Sequence, residues 1–416
     1  MKTETKQRIE QIRRGEVPEG YKQAGQNIVP NTWNRLSFEQ VAIVRSGLVS
    51  PKTEPYSSML HIGPENIEKD TGKIENVRSA SELGLISGKF YFDSSSIVYS
   101  KIRPNLNKVC VPDFEGICSA DCYSIKARDN VDKNYLFALL LSHQFYKRAV
   151  ECSMRTGMPK INQDDLNAIC LVFPDNLEEQ QKIAAILTTQ DKVIELKEKR
   201  LAEKQRQKKY LVQQLLTGKK RLPRFSGAWK ADLLGKLFLE RKETNCEGLQ
   251  MLAITGTQGI IPRKELDLKD NSSEDKSKYL RVCVGDIGYN TMRMWQGVSA
   301  YSNYEGIVSP AYTILKPSSS INAKYFAYLF KTPEIIFLFY RFSQGLVDDT
   351  RNLKYENFKK IKVCYPPDMK EQTAIAEVLS AADREIDLLQ QDIEQEKQKK
   401  KALMQLLLTG IVRVKT

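Results

Sequence analysis

The stretch EQQKIAAIL at residues 179–187 returns as EQTAIAEVL at residues 371–379, an offset of 192. The motif LLTG at residues 215–218 returns at residues 407–410 with the same offset, so no insertion or deletion separates the two landmarks. A fixed internal period indicates that one structural unit occurs twice in the chain. The sequence therefore predicts the order globular part, helix, globular part, helix.

Each repeated stretch predicts one long helix. Residues 178–217 and 370–409 contain no proline or glycine, while a proline precedes and a glycine follows each of them. Proline before and glycine after an uninterrupted polar and apolar pattern are typical of helix ends. At about 1.5 Å per residue, each helix would be roughly 60 Å long.

Apolar residues in the second helix recur at alternating steps of four and three, which is the pattern of a coiled-coil seam. The corresponding seam of the first helix has more polar interruptions. Because a globular part separates the two helices in sequence, an antiparallel pair is the economical arrangement. The alternative is that each helix packs only on its own globular part. The seam positions are Ile375, Leu379, Ala382, Ile386, Leu389, Ile393, Glu396, Lys400, Leu403 and Leu407, and Ile183, Leu187, Gln190, Ile194, Lys197, Leu201, Lys204, Lys208, Leu211 and Leu215.

The globular halves combine strands and helices. Short β-branched and aromatic runs, such as those at residues 96–99 and 304–315, alternate with turn residues and predict strands. Residues 134–151 and 323–342 are predicted to be helical. The expected fold class is α+β, with two mixed α/β domains in an internal repeat, separated by two long antiparallel coiled-coil helices.

The domain organisation follows from the repeat. We expect a first globular domain at residues 1–177, whose N-terminal segment is 1–20, and a second at residues 222–369. The two long helices occupy residues 178–221 and 370–416. Arg14-Gly15 with Pro18 faintly repeats the pattern after the first helix, which suggests that the two chain termini meet in a roughly circular arrangement.

Composition limits the class of protein. The 416 residues are 41% hydrophobic and 28% charged, which is typical of globular chains. Eight cysteines occur without a C-x-x-C motif, and there are only two histidines, so reduced, buried thiols are expected and a zinc site is not. The N-terminus is charged and no run of 18 apolar residues occurs, which predicts a cytoplasmic protein without a membrane partner.

The net charge of +13 favours a polyanionic partner. The excess is uneven: residues 1–177 carry +2, residues 178–221 carry +6, residues 222–369 carry +5, and residues 370–416 are neutral. The basic excess therefore lies on the first long helix and the second globular half.

Two ordered sets of short motifs resemble the specificity subunits of type I restriction and modification systems, and the resemblance covers nearly the whole chain. Each motif is weak alone, but their repetition near a fixed offset is specific. The opening motifs are Gly20-Tyr21-Lys22, Ile28-Val29-Pro30 and Trp33, and then Arg221-Leu222-Pro223, Phe225-Ser226-Gly227 and Trp229. The closing motifs are Thr156-Gly157, Phe173-Pro174 and Glu179-Gln180, and then Tyr365-Pro366 and Glu371-Gln372.

The resemblance implies a function without catalysis in this chain. In such proteins each globular half is a target-recognition domain for one part of a split double-stranded DNA sequence, and the helices set the distance between the parts. It further implies two methyltransferase subunits that bind S-adenosylmethionine. Two restriction subunits with translocase and nuclease activity, which use ATP with Mg²⁺, are optional partners. The chain itself is expected to bind no cofactor.

One departure is that Thr156-Gly157 has no counterpart in the second half, where residues 349–352 occupy its place. Whether the two domains use this loop alike is therefore open.

The motifs of an enzyme are missing. No P-loop or dinucleotide-binding fingerprint occurs. An adenine methyltransferase would need an Asn/Asp-Pro-Pro-aromatic loop for the flipped base, whereas residues 364–368 have related letters in another order. His61 and His143 have no counterpart in the repeat. We therefore expect no catalytic residue and no metal ligand.

Side chains suited to DNA follow a predicted strand in each half. Arginine forms hydrogen bonds with guanine, asparagine forms them with adenine, and lysine contacts phosphate. A loop rich in these residues therefore favours DNA contact. A second segment in each half, residues 155–162 and 344–352, has a similar composition. The predicted DNA-binding residues are Lys101, Arg103, Asn105, Asn107, Arg155, Lys160 and Asn162 in the first half, and Asn290, Arg293, Gln296, Gln344, Arg351 and Asn352 in the second.

Two other functions stay open from the sequence. A coiled-coil scaffold without DNA contact would explain the helices, although the basic second half argues against it. A specificity subunit of a methylation-only system would have the same motifs. The DNA sequence recognised and the length of its unread gap cannot be deduced, because DNA shape contributes to specificity.

Overall fold

The computed structural model describes residues 3–153, 159–246, 248–256, 259–266 and 275–415, without the side chains of Thr3, Glu4 and Asp349. The chain divides into two compact units. Unit 1 comprises residues 1–197 and 392–416, and unit 2 comprises residues 198–391. Each long helix contributes to both units. The predicted domain boundaries at residues 177, 221 and 369 remain predictions.

Unit 1 contains a mixed α/β domain and two segments of long helix. Its helices are α1 (Thr3–Arg13), α2 (Phe38–Val41), α3 (Lys133–Leu140), α4 (His143–Ser153), α5 (Gln163–Ala168) and the first part of α6 (Leu177–Leu215). Its strands are β1 (Tyr21–Ala24), β2 (Asn27–Pro30), β3 (Trp33–Ser37), β4 (Ala42–Val44), β5 (Leu48–Val49), β6 (Leu60–Ile62), β7 (Arg78–Ser79), β8 (Lys89–Phe92), β9 (Ser96–Ser100), β10 (Val109–Cys110), β11 (Gly116–Cys118), β12 (Cys122–Ala127) and β13 (Cys170–Pro174).

Unit 2 repeats this arrangement. Its strands are β14 (Lys230–Leu233), β15 (Phe238–Glu240), β16 (Leu252–Ile254), β17 (Ile260–Pro262), β18 (Leu280–Val282), β19 (Ile287–Asn290), β20 (Ser299–Tyr301), β21 (Gly306–Val308), β22 (Tyr312–Pro317) and β23 (Lys362–Tyr365). Its helices are α7 (Leu234–Leu237), α8 (Ala323–Leu329), α9 (Pro333–Phe342), α10 (Tyr355–Phe358) and the first part of α11 (Met369–Leu407), together with the second part of α6.

The same four-stranded antiparallel sheet lies in both units. Its strand order is β10-β9-β12-β4 in unit 1 and β20-β19-β22-β15 in unit 2. Side chains alternate between the two faces of a strand. In β9, Ile97 and Tyr99 pack in the larger core, which includes α3 and the start of α6. Val98, on the other face, packs in a smaller core with Ile62 and Phe92. The sheet is therefore buried on both faces.

A second layer of strands completes each domain. In unit 1 it is a five-stranded mixed sheet of order β5-β8-β11-β6-β7, in which β6 and β11 are parallel. In unit 2 the corresponding strands form the pairs β18-β21 and β16-β17. The strand pairs β3-β13 and β14-β23 connect each domain to its long helix.

The predicted helices at residues 134–151 and 323–342 are each interrupted. Ser142 separates α3 from α4, where its hydroxyl accepts a hydrogen bond from the Phe145 N–H at 3.3 Å. Pro333 begins α9 after α8 has ended at Leu329. Proline is tolerated in the first turn of a helix but not in its interior, which explains the break in unit 2.

The long helices run antiparallel within each unit, as predicted. In unit 1, Gln190 of α6 donates to Glu396 of α11 at 2.6 Å, and Lys197 pairs with Asp392 at 2.8 Å. In unit 2, Lys204 pairs with Glu385 at 2.9 Å, and Lys208 pairs with Asp383. The partner's number falls as the α6 number rises. The polar interruptions of the first seam therefore face acidic residues of the second helix.

The Glu-Gln pair that begins each long helix joins it to its domain. Gln180 accepts a hydrogen bond from the Asp132 N–H at 2.8 Å, and Gln372 accepts one from the Asn322 N–H at 2.8 Å. Glu179 is 1% exposed and Glu371 is also 1% exposed. The repeated motif is conserved between the halves of this chain because both side chains make the same structural contacts.

Each buried glutamate binds an arginine that follows the end of a long helix. In unit 1, the Arg413 Nε and Nη2 atoms donate to Glu179 at 2.6 and 2.8 Å. In unit 2, the Arg221 Nε and Nη2 atoms donate to Glu371 at 2.5 and 2.7 Å. The Tyr21 hydroxyl also donates to the Gly410 carbonyl at 2.9 Å. The segment after α11 therefore packs on the first domain, in the way that the segment after α6 packs on the second.

Candidate nucleic-acid interface

The two predicted recognition loops have the same construction. After β9, Arg103 directly precedes the 3₁₀ turn Pro104–Leu106, and after β19, Arg293 directly precedes the 3₁₀ turn Met294–Gln296. Arg103 has a φ of 47°, in the left-handed region. Both side chains are exposed, and neither makes a side-chain hydrogen bond or ion pair with another described residue. Two guanidinium groups are thus presented at equivalent positions of the two units.

The described part of the second predicted segment lies directly beside the first in both units. In unit 1, the Ile161 N–H donates to the Lys101 carbonyl at 2.9 Å, and the Arg103 N–H donates to the Pro159 carbonyl at 2.8 Å. In unit 2, the Leu353 N–H donates to the Thr291 carbonyl at 2.8 Å. The structure therefore joins each pair of segments into one surface. The helices α4 and α9 pack against these turns.

An ion pair, buried in unit 2 and partly exposed in unit 1, holds the start of each loop-bearing strand. In unit 2, the Arg241 guanidinium donates to Asp286 at 2.7 and 3.1 Å, and the Cys283 N–H also donates to Asp286 at 2.8 Å. In unit 1, Arg45 pairs with Asp93. Burial alone would raise the pKa of Asp93, but hydrogen bonds from Ser95, Arg45 and Ser96 hold this pKa at about 2. These pairs position the strands without occupying the loops.

Six predicted residues are exposed on this surface without a side-chain hydrogen bond or ion pair to the described part of the chain. The hydrogen-bonding groups of such exposed side chains are available to another molecule. The six residues are Arg103, Asn105 and Lys160 in unit 1, and Arg293, Gln296 and Gln344 in unit 2.

Two predicted DNA-binding side chains in unit 1 have hydrogen-bond partners within their own domain. Asn107 is 7% exposed, and its amide donates to Asp70 at 3.0 Å and to the Leu141 carbonyl at 3.3 Å. Asn162 caps α5 by accepting a hydrogen bond from the Asp165 N–H at 2.7 Å. The Asn107 amide and the Asn162 side-chain oxygen therefore have structural roles within the domain.

Arg351 is also engaged within its own unit. Its side chain is 18% exposed, its Nε donates to Asp348 at 2.8 Å, and its Nη2 donates to the Tyr340 hydroxyl at 2.8 Å. The guanidinium carbon lies 4.0 Å from the centre of the Tyr340 ring. Arg351 therefore orders its loop rather than presenting a free guanidinium.

The remaining predicted residues contribute to loop shape. Asn290 accepts a hydrogen bond from the Met292 N–H at 3.0 Å, and the Asn352 amide donates to the Thr350 carbonyl at 3.3 Å. The Lys101 ammonium lies 5.3 Å from the centre of the Tyr123 ring, and partial burial lowers its pKa. Arg155 lies outside the described residues.

Sequence analysis missed an apolar component of the unit 2 surface. Tyr340 of α9 contacts the Trp295 ring edge to face, with centroids 6.2 Å apart, and Phe337 one turn earlier is 58% exposed. Leu346 and Val347, in the loop after α9, are 99% and 60% exposed. A usable signal was present, since an apolar pair between Gly345 and Asp348 has no reason to occur in a solvated loop.

One of the two histidines and three of the eight cysteines are buried in unit 1. His61 is 4% exposed, and burial lowers its pKa. Cys110, Cys118 and Cys122 are buried, which raises the pKa of each thiol. Cys170 in β13 and Cys364 in β23 are exposed, and Cys152, Cys246 and Cys283 are partly exposed, so the prediction of buried thiols is right for only three of the eight. No disulfide joins any of the eight cysteines.

Two whole-molecule features complete the description. Among the residues described, no helix combines the length and apolar character that crossing a bilayer requires. Across the same residues, no group of three or more His, Cys, Asp or Glu side chains converges as a metal site would require.

Known proteins share both the sequence pattern and the fold. The chain is 38% identical over 178 residues to the EcoDI specificity subunit of a type I restriction enzyme from Escherichia coli, covering 43% of this chain and 37% of that protein. It is 24% identical over 438 aligned positions to the putative MjaX specificity subunit from Methanocaldococcus jannaschii, covering 96% and 98%. The match to the first relative thus spans about a third of that protein's length.

Solved structures confirm the architecture. The HsdS subunit from Thermoanaerobacter tengcongensis aligns with a TM-score of 0.51 and 19% identity over 93% of this chain and 99% of that one. The type I restriction-modification S subunit from M. genitalium aligns with a TM-score of 0.56 and 15% identity over 95% and 99%. At sequence identities of 15% and 19%, these similarities establish the fold of this chain and nothing further.

The family assignment rests on the duplicated domain. The profile of the type I restriction modification DNA specificity domain matches residues 65–206 and again residues 268–398, which together are more than half of the chain. Each match includes one of the two recognition loops and much of one long helix. The chain therefore belongs to the type I restriction modification DNA specificity family, as a specificity subunit.

Proposed function

We propose that this chain recognises a two-part sequence in double-stranded DNA, with unit 1 contacting one part and unit 2 the other. The observation that carries the proposal is the pair of exposed arginines, Arg103 and Arg293, at equivalent loop positions and without a side-chain partner among the described residues. Arginine makes bidentate hydrogen bonds with guanine in the major groove. The neighbouring residues differ between the loops, which fits two different half-sequences.

Selection from a pool of randomised duplexes with the full chain tests this proposal. The wild type should enrich two short sequences separated by an unread gap of constant length. Arg103→Ala and Arg293→Ala should each relax selection at one half-sequence, with a loss of about 1 to 3 kcal/mol at the contacted base pair.

Arg206→Ala is the control, because it removes the same charge from an exposed position of α6 outside both loops. A uniform loss on all sequences would mean that the two loop arginines contact phosphate only. Failure of the wild type to enrich any sequence would overturn the proposal and favour a scaffold without DNA recognition. The net charge of +5 over residues 222–369 argues against that alternative.

The chain also assembles two copies of a methyltransferase subunit in this proposal. Support comes from Leu196 and Leu388, which occupy the same position of the 192-residue repeat on α6 and α11 and are 55% and 65% exposed. A leucine exposed to this extent at both places favours two equivalent contacts with one type of partner. Catalysis and S-adenosylmethionine binding belong to these partners. ATP and Mg²⁺ belong to two restriction subunits where the system has them.

Native mass spectrometry of the complex measures this stoichiometry. Two methyltransferase copies per chain are expected, and Leu196→Asp and Leu388→Asp should each reduce the number to one. A single copy on the wild-type chain would contradict the repeat argument. The purified chain alone should bind no S-adenosylmethionine in a calorimetric titration. Methylated sites without cleavage in the host would indicate a methylation-only system. We further propose that the complex acts in the cytoplasm, where its DNA substrate lies.

A further inference from the structure

The loop that follows α9 in unit 2 is closed tightly at its base. We call residues 344–352 the tip loop. The Gln344 and Asn352 main chains exchange two hydrogen bonds of 2.8 Å each. Gly345 between them has a φ of +131°, and a Cβ atom there would lie 2.7 Å from the Thr350 carbonyl carbon, so glycine is required. The base of the loop therefore has a defined conformation.

Arg351 fastens the tip loop to α9. Its guanidinium bonds Asp348 within the loop and the Tyr340 hydroxyl on the helix, and it stacks over the Tyr340 ring. Tyr340 in turn contacts Trp295 in the recognition turn. Since the Leu353 N–H also bonds the Thr291 carbonyl, the tip loop and the loop that carries Arg293 form one ordered surface.

Leu346 has no packing role in this ordered loop. Its side chain is 99% exposed, and that of the adjacent Val347 is 60% exposed. A flexible loop could fold an apolar side chain away from water, but this loop is held at its base and by Arg351. Leu346 is the most exposed large apolar side chain among the described residues, which singles it out for a contact with another molecule.

The surroundings of Leu346 favour DNA over a protein partner. A stable protein interface buries about 800 Å² on each side around an apolar centre. Here the apolar tip shares its surface with Arg293, Gln296 and Gln344, polar side chains that have no partner within the described part of the chain. Hydrogen-bonding groups beside one apolar contact match the edge of the major groove, where the C5-methyl group of thymine is the apolar feature.

We propose that Leu346, assisted by Val347, contacts the C5-methyl group of a thymine in the half-sequence that unit 2 recognises. Leu346 is then a specificity-determining residue, and Arg351 is a positioning residue that holds the tip loop. This inference rests on the proposed function, because it assumes that unit 2 contacts DNA.

Replacing thymine by deoxyuridine tests the contact, because it removes only the methyl group and keeps the base pair. The full chain is titrated with duplexes carrying the selected target, in which each thymine of the unit 2 half-sequence is replaced in turn. At one position the wild type should lose about 3- to 10-fold in affinity, as expected for one apolar contact. Leu346→Ser should show the same loss on the thymine duplex and no further loss on the deoxyuridine duplex.

Leu239→Ser is the matched control, since Leu239 is a 63% exposed leucine of unit 2 outside both loops, and this variant should behave as the wild type. The inference would be overturned if the wild type and Leu346→Ser lost the same affinity on replacement of thymine by deoxyuridine at every position. A unit 2 half-sequence without thymine would also overturn it. Its failure is separable from that of the proposed function. If only this inference fails, the wild type still selects a sequence and Arg293→Ala still relaxes that selection. If the proposed function fails, neither the wild type nor any variant selects a sequence.

Discussion

Glu179→Gln should destabilise unit 1 strongly, whereas Glu178→Gln next to it should not. Glu179 is 1% exposed and accepts hydrogen bonds from Arg413 at 2.6 and 2.8 Å and from the Trp33 Nε1 atom at 3.3 Å. Glu178 pairs only with Lys182, at side-chain exposures of 58% and 41% for the glutamate and the lysine. The two variants make the same chemical change at adjacent positions.

The magnitude follows from the burial of the two partners. Removing one member of a buried ion pair costs about 3 to 5 kcal/mol, because the remaining charge stays buried without a partner. The Arg413 side chain is 35% exposed, so water partly replaces the lost carboxylate. We therefore expect Glu179→Gln to lower the free energy of unfolding by about 2 to 3 kcal/mol. An exposed pair such as Glu178 and Lys182 contributes less than about 0.5 kcal/mol.

Urea unfolding followed by hydrogen exchange and mass spectrometry separates the two units. With a slope of about 2 kcal/mol per molar urea, the unit 1 midpoint should fall by about 1 to 1.5 M in Glu179→Gln. The unit 2 midpoint should stay within error. Glu371→Gln should produce the converse result, because Glu371 binds Arg221 in the same way. If Glu179→Gln and Glu178→Gln unfold at the same urea concentration, the buried pair does not hold the segment after α11 on unit 1.

Two further predictions concern the helix pair. Hydrogen bonds from Lys197, Gln190 and Lys399 hold the pKa of Glu396 at about 2, below its ordinary value of 4.5, so the stability that this carboxylate contributes is present above pH 4.5 and is lost as the pH falls towards 2. The urea midpoint should therefore fall less between pH 7 and pH 3 in Glu396→Gln than in the wild type. An equal fall in both proteins would exclude this carboxylate as a cause of the pH dependence. Inserting seven residues near Lys199 and seven near Gln391 keeps the heptad seams and lengthens each helix by about 10 Å. Methylation mapping of this variant should find the same half-sequences separated by about three more base pairs. An active variant with an unchanged gap would refute the idea that the helices set the spacing.

The repeat and the helices could be predicted from the sequence because their signals are local. The offset of 192, the absence of proline and glycine, and the heptad spacing determine where α6 and α11 lie and which face is buried, to within about two residues. The antiparallel pairing also followed, because a globular part separates the two helices in sequence. The structure adds that Gln190, Lys197 and Lys204 find acidic partners on the second helix. Regular periodicity depends only on neighbours within a few turns.

The candidate interface could be predicted only in part. The loops with Arg103 and Arg293 were found because an arginine follows a strand at matching places in the repeat. Composition did not separate these free arginines from Arg351, which is engaged by Asp348 and Tyr340. The difference arises from an aromatic ring on α9, which only the packing of that helix brings to the loop.

The sequence by itself determined the duplicated α+β plan, the two helices and the positions of the recognition loops. Only the tertiary structure decided which polar side chains remain free. Asn107 and Asn105 are two positions apart in the same loop, yet Asp70 and Leu141 bury the first and leave the second in solvent. Burial and hydrogen bonding depend on residues that are distant in the chain, and no local pattern encodes their approach. For the same reason the 99% exposure of Leu346 became visible only once the rest of its unit had folded without covering it.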